Sequence, residues 1–511
     1  MSDALTGAAL LGAARAGLPP AETLPAALAA LHAELSQRPP AEALLPLIGA
    51  TALYEAAGRR PARDESGWRL PAFRPEGDLP PCSPAAAHLL ERLLNGQDTP
   101  LLPEFLARLA AAGQRAPDDL LPYVLEHGAK IPRLRPQLLP IVGERGRWLA
   151  ALNPAWRYAA VDPADPRSLR GAWEADPAGR APLAVYVRQR DPAAARRLIE
   201  STWRAEPDTA RRALLGALEN GLSMADEPFL ERALDDRDAL TRHKAADLLA
   251  ALPDSRLVGR ITAAAGDILI LKDGSLAPHF PGPVSDALAR DGVAREGVAR
   301  ESVARTENDA RPGAPRSPTE WSRLLSSTVG VIPPAHWAAR FGLAPAALVK
   351  AALAGKWPRT LLSALATAAL RRRDMGWIDA LFAADGYSER VGLLLGALEP
   401  ADCYARLAEC LPAGDDAAVV VFLRRWPGPW DEPSARQLID FLAGHAAIAP
   451  DTRHGPTLRF LSRQFAQRCP PSLAGHAADA AARAAGSAWK AALSQLAATL
   501  RLRHQLVEAV G

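Results

Sequence analysis

The feature that most constrains this chain is where its prolines fall. Stretches with apolar side chains at helical spacing alternate with prolines at the joints, as at Pro39-Pro40, Pro80-Pro81 and Pro117. Proline lacks a backbone N–H and clashes with the preceding turn, so it is tolerated at a helix start or beyond its end, not inside. Forty-seven prolines used in this way cut 511 residues into many short helices. Ala26, Leu28, Leu31 and Leu35 mark one such helix. Leu44, Leu45, Leu47, Ile48, Ala52 and Tyr54 mark another, and residues 85–94 and 101–111 two more. Helices of about 10–15 residues with short connectors predict an all-α fold, an α-solenoid of stacked helix pairs.

Internal repetition supports stacking. Trp173-Glu-Ala-Asp-Pro177 recurs thirty residues later as Trp203-Arg-Ala-Glu-Pro207, and Asp191-Pro-Ala-Ala-Ala-Arg-Arg197 is echoed by Glu206-Pro-Asp-Thr-Ala-Arg-Arg212. Each echo sets an acid and a proline at a helix start, where free N–H groups and the dipole favour negative charge, then a basic pair one turn on. Residues 226–234 read as a first helix, Asp235-Asp-Arg-Asp238 as a turn, and residues 239–252 as a second helix with Ala245, Leu248, Leu249 and Leu252 on one stripe. This resembles a HEAT repeat. The resemblance implies that Asp236 or Asp238 with Arg242 forms a stacking ladder between repeats, with Thr241 replacing the usual Val.

Residues 259–318 break the pattern. Ile268-Leu-Ile-Leu271-Lys-Asp-Gly274 predicts a short β-hairpin around an Asp-Gly turn. Three pentads starting at Arg290, Arg295 and Arg300 follow, and a period of five holds no buried helix or strand face, so disorder is expected through Pro318. Helices resume at Trp321, with residues 361–371, 391–398, 417–426, 435–442 and 478–510 as candidates, the last divided at Gly486. The expected organisation is a helical region over 1–158, HEAT-like repeats over 159–258, the insertion over 259–318 and a second helical region over 319–511.

Enzyme signatures are missing, so no catalytic, cofactor-binding or metal-ligating residue and no cofactor is assigned. Cys403 and Cys410 lie two helical turns apart without a CxxC or a nearby histidine, which reads as one apolar face. Gly355-Lys356 is followed by Trp357 where a phosphate loop needs Ser or Thr. The carboxylates Asp235, Asp236 and Asp238 have no partner base. The start, with Asp3 and no basic residue before Arg15, lacks the form of a signal peptide, and no run approaches the ~18 residues that span a bilayer. With four cysteines as well, the expectation is a cytoplasmic protein without membrane contact.

One stretch is denser than a solenoid requires: Gly143-Glu-Arg-Gly-Arg-Trp-Leu-Ala150, then Asn153-Pro-Ala-Trp-Arg-Tyr158. Arg145, Arg147, Trp148, Asn153, Trp156 and Arg157 suit either an aromatic-and-basic patch for an acidic partner or an interdomain joint with Asn153 capping a helix, and the joint is preferred. This stretch also carries a wider resemblance. Together with Leu10-Leu-Gly-Ala-Ala-Arg15, Leu101-Leu-Pro-Glu-Phe-Leu106 and Asp226-Glu-Pro-Phe-Leu-Glu231, it is similar to a bacterial family of unknown function, over nearly the whole chain and most strongly from 100 to 260. The resemblance implies protein partners, since such proteins are often encoded beside a MoxR-type AAA+ ATPase, a von Willebrand A-domain protein and a SWIM zinc-finger protein. It transfers no catalytic residue.

The expected function is a non-enzymatic scaffold or adaptor for protein partners within a MoxR-type chaperone system. The alternative is nucleic-acid binding through Arg196-Arg197, Arg211-Arg212 and Arg371-Arg-Arg373. Sixty basic against fifty-seven acidic residues leave a net charge of only +3, which favours the first.

Overall fold

A computed structural model describes residues 3–58, 72, 77, 79–162, 165–279, 290–291, 318–386, 388–426, 428–447 and 452–511. Among the described residues the fold is all-α helical repeat apart from one small hairpin, and the chain forms two compact units, Met1–Pro71 and Ala72–Gly511. In the first unit, helices Asp3–Leu11, Ala13–Ala16, Ala29–Leu35 and Pro40–Gly58 share a small core of Leu5, Leu24, Leu35, Leu44 and Leu47. Pro46 departs from the punctuation rule: it lies inside Pro40–Gly58, where it removes one backbone hydrogen bond.

Nearly all the buried apolar residues described in the second unit, from Cys82 to Leu506, belong to one hydrophobic core cluster, with Tyr158 and Val258 among its members. Its helices form two layers. In one layer, Leu102–Ala111 packs on Arg135–Leu138, which packs on Arg180–Arg188, then Asp208–Ala217, Ala239–Ala251 and Pro358–Arg372. The course continues through the 3-10 turn Gly392–Ala397, then Asp416–Arg425, Gly455–Ala466 and Ser487–Val510. Ser487–Val510 then packs back on Leu102–Ala111 and on Pro84–Leu94. The array therefore closes on itself. The second layer includes Pro192–Thr202, Glu227–Ala233, Pro400–Cys410, Glu432–Ala447 and Ala474–Arg483, each set against its neighbours in the first.

Closure has specific chemistry. Arg503 donates to Glu104 (Nε to Oε2, 2.8 Å; Nη2 to Oε1, 2.9 Å), the Ser83 hydroxyl donates to the Ala509 carbonyl at 2.7 Å, and the Gln114 amide to the Val510 carbonyl at 3.0 Å. Beneath these bonds Leu493, Leu496, Leu500 and Leu506 are buried. Each contributes roughly 1.5–3 kcal/mol through removal from water, so packing supplies most of the seam and the polar bonds fix its register.

Residue 259, the expected start of the insertion, does not interrupt the helices. A helix, Arg256–Ala265, crosses it, because Ser255 caps the start and Leu257, Val258, Ile261 and Ala265 hold one buried stripe. The hairpin follows: Leu269–Lys272 pairs antiparallel with Ser275–Pro278. Asp273 and Gly274 both have positive φ, 50° and 73°, as a two-residue hairpin turn demands. Gly355 touches this hairpin; a Cβ there would sit 2.2 Å from the Leu276 carbonyl oxygen, so the glycine serves close packing.

Helix Pro318–Thr328 begins three residues before Trp321. Residues 361–371 lie within Pro358–Arg372, residues 391–398 include the 3-10 turn Gly392–Ala397, and the final pair divides around Gly486 into Ala474–Arg483 and Ser487–Val510. Of the pentads only Arg290 and Asp291 are described, and they are docked. Asp291 is buried and accepts from Arg260 at 2.7 and 2.8 Å, while Arg290 meets Asp235 at 2.5 Å. These two residues depart from the expectation of disorder because Glu231 and Asp235 on the preceding repeat attract Arg290, and Arg260 compensates the buried Asp291. The rest of the pentads lies outside the described residues.

Candidate functional site

The repeat echoes resolve into a ladder of ion pairs. Arg135, Arg180 and Arg211 sit early in successive helices of the first layer, and each reaches the acid that precedes the next. Arg135 meets Asp176 at 2.8 Å, Arg180 meets Glu206 at 2.5 Å and Arg211 meets Asp236 at 2.9 Å. Each arginine also donates to a backbone carbonyl: Gly128 at 2.8 Å, Trp173 at 2.8 Å and Glu206 at 2.6 Å. Each has an aromatic ring near its guanidinium, Tyr158 at 4.2 Å, Trp173 at 5.7 Å and Trp203 at 5.9 Å. The thirty-residue recurrence of Trp with Asp or Glu three positions later is the aromatic and the acid of successive rungs. Glu206 therefore does not cap the helix after it; its carboxylate is buried in the ladder, whereas Asp191 does cap, accepting from the Ala194 N–H at 2.8 Å.

Asp236, Asp238 and Arg242 lie at the next rung. Asp238 accepts from Arg212 at 2.7 Å, from the Thr241 hydroxyl at 2.7 Å and from the Thr241 N–H at 2.9 Å. The Thr241 hydroxyl bond, the Arg212 bond and the Thr241 N–H bond together hold its carboxyl down at about 2. Arg242 donates to the backbone carbonyls of Asp236 (2.7 Å) and Arg237 (3.1 Å), and Arg211 and Arg212 on the preceding first-layer helix reach the carboxylates of Asp236 and Asp238.

Among the described residues, one ion pair has both side chains fully buried, and it joins a first-layer helix to the second layer. Arg188 and Asp226, both fully buried, form two hydrogen bonds of 2.9 Å, and Arg188 also donates to the carbonyls of Pro192, Leu218, Asn220 and Gly221. Burial would raise the Asp226 carboxyl, but bonds from Arg188 and from Arg196 at 2.9 Å outweigh it and hold it below the ordinary carboxylate range. Part of this was legible: Ser223 with Asp226 three residues on is a capping box, and that box is present. Little local marked Arg188, because its six acceptor atoms come from three stretches of chain, residues 192, 218–221 and 226.

At the aromatic-and-basic stretch, helix Gly143–Leu152 packs against the 3-10 segment Pro154–Ala159. Arg145 pairs with Asp118, and Arg147 with Glu144 at 2.5 Å. Asn153 caps the segment by accepting from the Ala155 N–H at 3.0 Å. The Trp156 indole donates to Glu126 at 3.1 Å, and that bond, with one from Lys130, lowers the Glu126 carboxyl. The Tyr158 hydroxyl donates to the Leu125 carbonyl at 2.8 Å, and burial raises its phenol well above the ordinary value. Trp148 is half-buried and Arg157 exposed. Two of the three arginines here are thus bound to neighbouring acids.

Two open clefts were not visible in the sequence. One, of about 630 Å³, is lined by Trp203, Phe229, Arg232, Asp235 and Arg237. There Trp203 and Phe229 meet edge to face at 5.0 Å, and Arg232 pairs with Glu200 at 2.9 Å. The other, of about 860 Å³, lies between Gly455–Ala466 and Ser487–Val510 and is lined by Arg459, Phe460, Arg463, Gln467 and Gln495 among others. Both assemble across helix pairs, so no single stretch announces them. Among the described residues, no group of three or more His, Cys, Asp or Glu side chains could hold a metal ion, and no helix is long and apolar enough to cross a membrane.

A closed two-layer array tied by an arginine–carboxylate ladder defines a helical-repeat protein. The family of unknown function DUF5691 matches residues 4–510, and the chain belongs to it. No curated protein and no solved structure matches the chain.

Proposed function

We propose that this chain is a cytoplasmic scaffold or adaptor that binds protein partners through its closed helical array and carries out no chemistry itself. The observation that supports this reading best is the pair of open clefts in which exposed arginines border aromatic rings, the side-chain chemistry that dominates protein–protein hot spots. The partners it would serve are a MoxR-type ATPase, a von Willebrand A-domain protein or a SWIM protein, and that choice rests on the family resemblance.

The fate of the arginines weakens the nucleic-acid alternative. Arg196, Arg211, Arg212 and Arg371 are tied to Asp226, Asp236, Asp238 and Asp247, and Arg197 and Arg373 have acids at 4.0 and 3.8 Å. Phosphate binding releases counterions only where cations are free to meet phosphates. Of this set, Arg372 alone forms no ion pair among the described residues, and its terminal nitrogens are buried.

Co-expression of the tagged chain with the three candidate partners from its own host tests the proposal. At least one should co-purify in ATP or ADP; recovery of none rejects the chaperone-system reading. A duplex titration at two salt concentrations tests the alternative, and tight binding that weakens steeply with salt would favour nucleic acid instead.

A further inference from the structure

The groove between Gly455–Ala466 and Ser487–Val510 has a shape and a charge that specify an occupant. One wall presents Pro456, Arg459, Phe460, Arg463 and Gln467; the other presents Ala488, Ala491, Ala492, Gln495 and Thr499. Both sets follow helical spacing, so each wall is one continuous helix stripe. Pro456 to Gln467 spans eleven residues, about 16 Å at 1.5 Å per residue, which is room for three turns of a docked helix. The alanines keep one wall low, and Phe460 stands 59% exposed on the other, an unburied aromatic of the kind that anchors interfaces.

The charge is one-sided. Gly455–Ala466 contains no acid, and Ser487–Val510 contains one, Glu508, which is paired with His504 at 3.2 Å. Arg459 and Arg463 line the groove and Lys490 and Arg501 belong to the same helix pair; the only acid in the lining is Asp98 at one end. Arg463, Lys490 and Arg501 form no ion pair among the described residues, in contrast with the ladder arginines. Arg459 sits 5.2 Å over the Trp489 ring, which orients its guanidinium. Asp98, Pro100 and Leu101 come from the opening turn of the array, so the groove draws its lining from both ends of the array.

We infer that this groove seats an acidic amphipathic helix of a protein partner, its apolar stripe on Phe460 and the alanine wall and its carboxylates toward Arg459 and Arg463. The inference rests on the scaffold reading and names the kind of segment that the scaffold takes. Helix-in-groove docking uses anchors at i, i+3, i+4 and i+7, which the paired stripes match.

Two synthetic sixteen-residue amphipathic peptides test it by fluorescence anisotropy. They share one Leu/Phe stripe and differ in a polar face of Glu or of Lys. The Glu peptide should bind at least tenfold tighter than the Lys peptide. Phe460→Ala and Arg463→Glu, both at exposed positions, should each weaken it at least tenfold with an unchanged melting temperature. Equal binding of the Lys peptide, no saturable binding of either, wild-type affinity in both variants, or displacement of the peptide by single-stranded DNA would overturn the inference. The double variant separates the two readings in the co-purification assay. If it captures a partner as well as wild type does, the groove is refuted and the scaffold stands; if wild type captures none, the scaffold fails.

Discussion

Arg503 and Glu104 form a bidentate ion pair across 399 residues of chain, with bonds of 2.8 and 2.9 Å. Arg503 is buried, and it also donates to the carbonyls of Ala466 and Cys469. The first and last helices of the array are thereby neighbours in space. In an open solenoid each repeat touches only its sequence neighbours, and terminal repeats fray independently. Here the ends support each other.

Replacing Arg503 by Met should therefore loosen both ends. Hydrogen exchange should quicken in Pro84–Leu94 and Leu102–Ala111 as well as in Ser487–Val510, while Ala239–Ala251 stays protected. The cost should be about 2–3 kcal/mol, below the ~3–5 of a fully buried broken pair, because Glu104 keeps Arg108 at 2.7 Å. Faster exchange confined to the last helix would argue against closure.

Arg188→Met should be the more damaging change, since it leaves the fully buried Asp226 with Arg196 as its one remaining arginine partner among the described residues. Breaking such a pair costs ~3–5 kcal/mol, whereas replacing both charges by apolar groups is often close to neutral. Arg188→Met/Asp226→Leu should consequently recover most of the stability lost in the single variant. Urea unfolding of the two proteins decides this, and a double variant no better than the single one contradicts it.

Stability should fall at acid pH and hold near neutrality. The carboxyls of Asp226, Asp235, Asp238, Glu104 and Glu227 are all held below their ordinary values by arginine partners or by neighbouring hydrogen bonds. A carboxyl depressed in the folded state stabilises it above the unfolded pKa of ~4, and that stabilisation disappears as pH drops through the folded value. For Asp238 that window runs from ~4 down to about 2. Melting temperature should be flat from pH 8 to about 5.5 and fall steeply below ~4. Asp238→Asn should melt lower at pH 7 and show a shallower acid slope; an unchanged slope counts against the assignment.

Two glycines should respond in opposite directions. A Cβ at Gly128 would lie 1.9 Å from the Tyr158 hydroxyl oxygen and 2.5 Å from its ring carbon. Gly128→Ala should cost about 1–3 kcal/mol through forced repacking of that buried ring. Gly216, inside Asp208–Ala217, has nothing within 4 Å of an added Cβ, so Gly216→Ala should gain about 0.5–1 kcal/mol in helix stability. Thermal unfolding of both variants checks the pair.

Periodicity and punctuation determined what is local. Apolar spacing located the helices, proline and aspartate located most of their starts, and Asp273-Gly274 located the one hairpin, because each depends on interactions within a turn or two. The ladder was half legible: the recurrence of Trp with an acid three residues on was plain, but not that Arg135 and Arg180 are the partners of the acids Asp176 and Glu206. A rung joins residues 25 to 41 apart whose meeting depends on how one helix stacks on the next. Only the tertiary structure decided the closure of the array, the Arg188–Asp226 clamp and the two clefts. Each joins side chains from several helices, and the angle accumulated over many helix pairs sets whether they meet. Sequence spacing encodes one step of that angle weakly and its sum not at all, which is why a chain that reads as an open stack of helices proves to be closed by Glu104 and Arg503.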